Sequence, residues 1–299
     1  MQQTLASALQ RWVLGVLGAG ASITEIRGLG DGGSPWLLRL TGAEQEQDVV
    51  LRVGNPVDRS PLRTELAALQ LAATHDVAVP RLTAAAIEHD PPLVLTEAVN
   101  GSSAIPDRHP AERLRILGAS AAGLHRIAVS SNPALPRRDR PIAGVDFASL
   151  RANHPIRPLL ARAEHVVGER APSSIDGFVH GDLWQGNTMW NGDTLTALID
   201  WDCAGVGPAG VDLGSLRCDA AICHGLPAAE DVLTGWRTAA GRPADDVAYW
   251  DAVAALSTPP DMGWFVDAIA GQGRTDLTQS ALLRRRDDFL AAALNRLDP

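Results

Sequence analysis

The sequence predicts an α+β protein, with strands in the first hundred residues and mostly helices in the remainder. Two observations support this class. Near the N-terminus, extended or alternating runs typical of strands recur at 21–26, 35–40, 48–53 and 92–97. The later segments indicate long helices, at 111–128, 147–170 and 282–297, and the last of these is expected to be a surface element. Two further helices are expected earlier in the chain, an amphipathic one at 4–18 and one at 62–75.

Length and charge restrict the class of protein further. The 299 residues suffice for a large core in one domain or two lobes. A hydrophobic content of 45% and a charged content of 20% describe an ordinary soluble globular chain. The formal net charge of −9 argues against nucleic acid as the main partner, because phosphate backbones require basic surfaces.

The basic residues are unusual, because all 26 of them are arginine and lysine is absent from the chain. The Walker A loop requires a Gly-Lys-Ser/Thr sequence, so that type of phosphate site is excluded. A nucleotide site in this chain must use arginine where other enzymes use lysine.

The cysteines and the N-terminus indicate a cytoplasmic protein. The chain has three cysteines, Cys203, Cys218 and Cys223. An odd number without a C-x-x-C pair favours reduced thiols over a disulfide framework or a zinc site. The apolar stretch at 12–23 follows Arg11 but contains three glycines and continues a helical pattern, so we do not expect an export signal. No run reaches the ~18 apolar residues that a membrane span needs.

Two polar motifs follow apolar runs in the second half of the chain. His180-Gly181-Asp182-Leu183 comes after one run, with Asn187 four residues further on, and Asp200 ends the next run. Asp182 can accept a proton from a hydroxyl, and Asn187 and Asp200 offer hard oxygen ligands suited to Mg²⁺. Single Asp or Asn residues near glycine are usually turn residues. Two spaced motifs favour a phosphoryl-transfer site, where positioning and charge neutralisation carry most of the catalysis.

With Gly207-Pro208 and Asp212-Leu213, these motifs resemble the aminoglycoside phosphotransferase family of small-molecule kinases, over residues 28–213. The resemblance implies a two-lobed, protein-kinase-like fold with the nucleotide in the cleft. The expected lobes are a small antiparallel-sheet lobe at 1–100 that binds nucleotide and a larger, mostly helical lobe at 101–299 for catalysis and the acceptor.

The resemblance also implies roles for the motif residues. Asp182 would be the catalytic base, and Asn187 and Asp200 would bind Mg²⁺. His180 and Asp212 would give structural support to the catalytic loop.

The nucleotide-binding residues are expected in the first lobe. The glycine-rich stretch at 28–34 lies between two strands, so its backbone can approach phosphates closely, although a hairpin without a ligand remains an alternative. Arg52 stands where kinases carry a lysine, and Glu65 would pair with it. Arg52 could instead face water, and Glu65 could complement a helix dipole. The expected cofactor-binding residues are Gly30, Gly32, Gly33, Ser34, Arg52, Glu65, Glu97 and Val99, the last two through backbone contacts to adenine implied by the resemblance.

The acceptor is expected to be a small cationic molecule. Only a short link separates Asp200 from Asp212, whereas protein kinases place a long activation loop there to hold a peptide. Residues 200–267 hold eleven acids, three basic residues and several aromatics, which favours a polycationic alcohol unless this is simply a solvated face. The candidate acceptor residues are Asp202, Trp236, Asp261 and Trp264.

These observations predict an ATP- or GTP-dependent phosphotransferase that modifies a hydroxyl of a cationic antibiotic such as an aminoglycoside, a resistance function. Two alternatives remain open at this point. One is a metabolite kinase for choline, a sugar or an amino alcohol. The other is a kinase-like protein that binds nucleotide without turnover.

Overall fold

The structure, a computed structural model, describes residues 5–18, 20–30, 33–42, 47–172 and 175–298. The chain divides into two units, Met1–Asn100 and Gly101–Pro299. Within the described part, no helix is both long and apolar enough to cross a membrane.

The N-terminal unit is built on a five-stranded antiparallel sheet. Its elements are α1 (Ser7–Leu17), β1 (Ser22–Gly30), β2 (Gly33–Thr41), β3 (Gln47–Val53), α2 (Ser60–Thr74), β4 (Leu82–Ala86) and β5 (Leu93–Glu97). The strand order is β1-β2-β3-β5-β4, and each neighbouring pair is antiparallel. Alternating apolar residues of β2 and β3 share one core with Val13 of α1, so one sheet face is covered by that helix.

The C-terminal unit is mostly helical. Its helices are α3 (Ala111–His125), α4 (Phe147–Ala152), α5 (Pro158–Gly168), α6 (Gly210–His224), α7 (Leu226–Ala240), α8 (Val247–Leu256), α9 (Gly263–Gly271) and α10 (Gln279–Leu297). Helix α6 carries twelve buried residues and packs against α7, α8 and α10, so it is the central helix of this unit. The predicted α+β class, with strands first and helices after, is confirmed.

Two small strand pairs position the polar motifs. Strand β6 (Asp176–Val179) pairs with β9 (Gly205–Pro208), and β7 (Thr188–Asn191) pairs with β8 (Thr194–Leu198), both antiparallel. The motif containing Asp182 lies between β6 and β7, and Asp200 lies between β8 and β9. The pairings therefore bring two separate chain segments into one place.

Two helix predictions require correction. The expected helix at 147–170 is two helices, because Pro155 and Pro158 interrupt the segment and proline cannot continue a helix at those positions. The C-terminal helix was expected to be a surface element, but Arg286 within it is fully buried and donates to Thr258 Oγ1 at 2.9 Å. Helix α10 is thus part of the core.

Helices α3 and α7 cross closely because glycines lie at their contact. A methyl group at Gly118 of α3 would overlap the carbonyl oxygen of Val232, and one at Gly235 of α7 would overlap that of Arg115. The close crossing also brings Trp236 of α7 to His125 at the end of α3, with the indole Nε1 donating to His125 Nδ1 at 3.0 Å. The helix spacing therefore sets the position of His125.

We expect Gly118→Ala to lower the free energy of unfolding by about 1–3 kcal/mol, because the added methyl forces the two helices apart. Gly123→Ala is the matched control on the same helix, since its added methyl would meet no described atom within 4 Å apart from its chain neighbours and the adjacent backbone of its own helix. That control should be neutral or more stable by up to ~1 kcal/mol, since alanine is the better helix former. Urea denaturation measures both. Equal stability of the two variants would contradict the close crossing.

Candidate functional site

Asp182 and Asn187 are held together in the loop after β6. Asn187 lies at the end of a 3₁₀ turn, Gln185–Asn187. Its amide Nδ2 donates to the backbone oxygen of Asp182 at 2.9 Å and to Asp182 Oδ2 at 3.2 Å. Because the amide nitrogen faces Asp182, the amide oxygen Oδ1 points to the other side of the Asn187 side chain.

Asp200 joins the same site through the backbone. The amide of Ile199 donates to the carbonyl of Asn187 at 2.9 Å, which places Asp200 directly beyond a residue bonded to Asn187. Asp200 has a φ of 66°, a left-handed conformation that is uncommon for residues other than glycine and is often found at functional sites. The structure thus brings together Asp182, Asn187 and Asp200.

The buried carboxylate of Asp212 holds this loop in place. Asp212, in the first turn of α6, accepts the backbone N–H of His180 and of Gly181, each at 2.8 Å. It also accepts a hydrogen bond from His125 Nε2 at 3.2 Å. Burial favours a higher pKa for Asp212, but the hydrogen bond from His125 and the contacts with His180 outweigh it and lower the pKa.

His180 is a buried, neutral member of the same framework. Its Nε2 contacts the carbonyl of Ile199 at 2.9 Å, and its ring lies 4.4 Å from that of Trp201. Burial lowers its pKa despite the nearby charge of Asp212. A neutral imidazole that donates from Nε2 leaves Nδ1 as an acceptor, and the backbone N–H of Asp182 lies 3.4 Å from it.

The surroundings of Asp182 make its carboxyl group harder to ionise than it would be in water. Burial raises the pKa of Asp182 to about 7, and the nearby carboxylates of Asp200 and Asp202 add to this shift. The hydrogen bond from Asn187 acts in the opposite direction. Such a concentration of negative charge is a favourable environment for a cation.

The donor set at this point fits a magnesium ion. Asn187 and Asp200 offer an amide and a carboxylate oxygen, the ligand types that Mg²⁺ prefers, and Mg²⁺ commonly takes only one or two protein ligands together with phosphates and waters. Among the described residues, no group of three or more His, Cys, Asp or Glu side chains is arranged to hold a metal. A two-ligand magnesium site agrees with that finding, whereas a closed zinc-type cage does not.

In the N-terminal unit, the predicted ion pair between Arg52 and Glu65 is present. Arg52 Nε lies 3.0 Å from Glu65 Oε2, and Nη1 donates to Oε1 at 3.2 Å. Glu65 is buried in α2, while the Arg52 side chain at the end of β3 keeps 22% of its surface exposed. The guanidinium is therefore fixed in place and still reachable by a ligand.

The glycine-rich stretch forms a tight hairpin. Gly30 and Gly33 are directly paired at the ends of β1 and β2, and Gly32 lies outside the described residues. The Ser34 hydroxyl donates to the carbonyl of Val53 at 3.3 Å and accepts its N–H at 3.0 Å, so this side chain ties β2 to β3.

Glu97 ends β5, and Val99 follows just before the division between the units. The backbone N–H of Glu97 donates to the carbonyl of Arg81 at 2.9 Å.

A cavity of about 210 Å³ opens beside Asp182 in the C-terminal unit, and we call it the Asp182 cavity. Its apolar wall includes Trp184, Ile222, Trp264, Phe265 and Ile269. Its polar lining residues are Asp182, Ser215, Asp219, Ser257 and Thr258. The cavity is therefore mainly apolar, with two carboxylates.

Of the four residues expected to contact an acceptor, the structure brings Trp264 to the cavity, where it is 45% exposed. The expectation for Trp236 is wrong, because its side chain is only 1% exposed and its N–H is bonded to His125. Asp202 and Asp261 are not among the lining residues of the cavity. The carboxylate of Asp261 instead accepts the backbone N–H of Gly263 at 2.8 Å.

The eleven acids at 200–267 also do not gather on one surface at the cavity. Of the eleven acids at 200–267, only Asp219 lines the Asp182 cavity within the described structure. Several others are paired with arginine: Glu230 and Asp251 with Arg217, Asp231 with Arg115, and Asp245 with Arg242. Arginine neutralises these acids, and none of them is among the residues that line the cavity.

The family model described as the phosphotransferase enzyme family, APH, matches residues 25–256, which is most of the chain. The chain belongs to this family. It is therefore a phosphotransferase that acts on a hydroxyl group. Comparison with curated protein sequences gives no match for this phosphotransferase.

Solved structures share the fold of this APH phosphotransferase. The macrolide 2'-phosphotransferase MphH from Brachybacterium faecium is 21% identical with a TM-score of 0.62, covering 98% of this chain and 97% of that one. A choline/ethanolamine kinase family protein from Mesorhizobium loti is 16% identical with a TM-score of 0.61, covering 96% and 94%. Aminoglycoside phosphotransferase APH(4)-Ia, in a ternary complex with AMP-PNP and hygromycin B, is 14% identical with a TM-score of 0.62, covering 95% and 98%. These likenesses confirm the kinase-like fold.

Three residues at or beside the Asp182 cavity were not singled out from the sequence. Trp184 lines the cavity, and Gln185 binds Asp219 through its Nε2 at 2.8 Å and its backbone N–H at 3.2 Å. Trp184 and Gln185 lie inside the motif that starts at His180, so their position in the sequence already indicated that they lie near Asp182. Asp219 was one acid among many, and only the packing of α6 shows that it reaches the cavity.

We expect Asp212→Asn to destabilise the phosphotransferase in a pH-dependent way. Because its folded pKa lies below the ordinary 3.8, ionised Asp212 stabilises the fold above that pH and loses this effect as the pH falls through the folded pKa. The variant should lose about 1.5–3 kcal/mol of unfolding free energy at pH 7 and less near pH 3.5. Urea denaturation at both pH values measures this, with exposed Asp193→Asn as the control. An equal loss at both pH values would contradict the charge-based role.

Proposed function

We propose that this phosphotransferase moves the γ-phosphoryl group of ATP to a hydroxyl of a small molecule bound in the Asp182 cavity. The observation that carries the proposal is the position of Asp182, which lines the cavity and is bonded to Asn187 in the same loop. A base beside an acceptor cavity, next to oxygen ligands for a metal, is the set of parts that phosphoryl transfer requires. We assign the reaction to the cytoplasm, where ATP is available.

Asp182 acts as the general base. Its pKa of about 7 lies near physiological pH, which suits a group that must accept a proton during the reaction. As the acceptor oxygen bonds to the γ-phosphorus, its proton passes to Asp182, and the bond to the β-phosphate breaks to release ADP. Asp212 and His180 keep the loop in position for this step.

The N-terminal unit carries the groups proposed to bind the nucleotide, and the motifs of the C-terminal unit carry those proposed to bind its metal. Asn187 and Asp200 would hold Mg²⁺, which when bound neutralises phosphate charge. Arg52, fixed by Glu65, binds phosphate oxygens, and the backbone of the hairpin from Gly30 to Ser34 covers them. The backbone near Glu97 and Val99 binds adenine. The nucleotide complexes of related proteins, such as the AMP-PNP complex of APH(4)-Ia, support this use of ATP.

The acceptor class follows from the cavity. A polycationic aminoglycoside would meet only two carboxylates among the described lining residues, whereas an alcohol with an apolar body would be well covered. An apolar antibiotic alcohol, as the likeness to the macrolide phosphotransferase suggests, is our first candidate. The cavity volume of about 210 Å³ favours a second candidate, a smaller amino alcohol of the kind handled by choline/ethanolamine kinases.

Mass spectrometry after incubation with Mg-ATP and a panel of both acceptor types tests the proposal. A gain of one phosphoryl group on an acceptor is the expected result. Asp182→Ala should bind nucleotide normally and lose about 10²–10⁴ in turnover, because it removes a positioned base. Asp193→Ala, an exposed acid in the turn after β7, is the control. Turnover of Asp182→Ala within a hundredfold of wild type would remove Asp182 from the role of base.

The role of Arg52 can be tested separately. Arg52→Ala should raise KM for ATP by roughly 10- to 100-fold, because a charge-assisted phosphate contact is lost. Arg52→Lys should recover part of this, since it keeps the charge without the planar fork. Arg39→Ala on the adjacent strand serves as the control for loss of positive charge. An unchanged KM for ATP in Arg52→Ala would contradict phosphate binding by Arg52.

A further inference from the structure

We infer that Asp219 binds a cationic amine of the acceptor, so that the Asp182 cavity selects an apolar alcohol carrying one amine. The inference rests on the proposed function, because it assigns acceptor recognition in the same cavity to one side chain.

The charges of the cavity support a single amine. Its described lining contains no Arg or His, and its only carboxylates are Asp182 and Asp219. One of them is the proposed base for the hydroxyl, which leaves Asp219 as the charged partner for one cation. Aromatic side chains from Trp184, Trp264 and Phe265 surround the remainder of the space, and their faces suit both an apolar body and a nearby ammonium.

The hydrogen bonds of Asp219 leave capacity for a ligand. Its Oδ2 accepts both donors of Gln185, the backbone N–H at 3.2 Å and the Nε2 amide at 2.8 Å. Among the described residues, the contact of Oδ1 is the Cys223 thiol at 3.6 Å, which is a weak donor. A carboxylate oxygen in an apolar cavity with only a thiol beside it is a strong acceptor for a charged N–H.

Gln185 connects this acceptor contact to the catalytic loop. It lies three residues after Asp182 in the same motif, and its amide Nε2 is bonded to Asp219. The Asp219 carboxylate is therefore hydrogen-bonded to the segment that carries Asp182, and both carboxylates line the same cavity, so we expect a molecule with its amine close to its hydroxyl to engage both. The cavity of about 210 Å³ exceeds the roughly 150 Å³ that accommodates benzene, so a phenyl group with a short amino alcohol chain is a suitable probe.

The test compares two matched probes, 2-amino-1-phenylethanol and 1-phenyl-1,2-ethanediol, in which a hydroxyl replaces the amine. Calorimetric titration of the full chain with Mg-ADP present measures their affinities. We expect the amine to bind about tenfold more tightly or better, because the neutral hydroxyl of the diol replaces an ammonium group and the charge-assisted contact with the Asp219 carboxylate is lost.

Three variants locate the source of that preference. Asp219→Asn keeps the acceptor for Gln185 but removes the charge, and should abolish the amine preference. Asp182→Asn removes the other carboxylate and should retain the preference. Asp219→Glu keeps the charge and should retain it in part, and thermal unfolding of each variant shows that it is folded. Trp264→Ala should weaken both probes to a similar extent.

The inference is overturned if neither probe binds the wild type, if both bind equally, or if the preference survives Asp219→Asn or disappears in Asp182→Asn. If Asp219→Asn does not fold, the wild-type ratio and the Asp182→Asn ratio decide. These readouts require no turnover. An amine preference that depends on Asp219 but gives no phosphorylated product therefore contradicts the proposed function alone. A phosphorylated acceptor without that preference contradicts this inference alone.

Discussion

The carboxylate of Asp212 holds the loop that carries Asp182, because it accepts two successive backbone N–H groups, from His180 and Gly181. Such bonds to an ionised group in a dry interior are strong and directional. Gly181 meets this requirement with a φ of 81°, and a side chain there would overlap the carbonyl of Cys203. The position of Asp182, one residue further on, is thereby determined by α6 and not by the loop itself.

The distribution of acids illustrates why composition does not locate a binding surface. Eleven acids at 200–267 suggest one negative surface, yet at least four of those in the described structure pair with arginines. Asp251, for example, is fully buried and lies 2.8 Å from Arg217 and 2.6 Å from Arg296. A buried carboxylate of this kind must be paired, because an isolated charge is very costly in the interior. The Asp182 cavity is accordingly much more apolar than residues 200–267 taken as a whole.

Much of the fold and the core of the site could be predicted from local patterns. The strands of the first hundred residues and the motif residues Asp182, Asn187 and Asp200 follow from patterns within short segments. The Arg52–Glu65 pair follows from comparison of these segments with the kinase arrangement. The remainder depends on distant contacts. Trp236 and Trp264 are the same residue type in one region of the chain. Only the close crossing of α3 and α7 shows that the first is buried while the second remains at the cavity.

The Arg52–Glu65 pair has a consequence for chemical detection of the enzyme. Reagents that identify nucleotide-binding proteins by acylating an amine near the phosphates need a lysine, and this chain has none. A guanidinium remains protonated throughout the accessible pH range and is a poor nucleophile. Surveys of a proteome with lysine-directed nucleotide probes would therefore overlook this kinase, even when it is abundant and active.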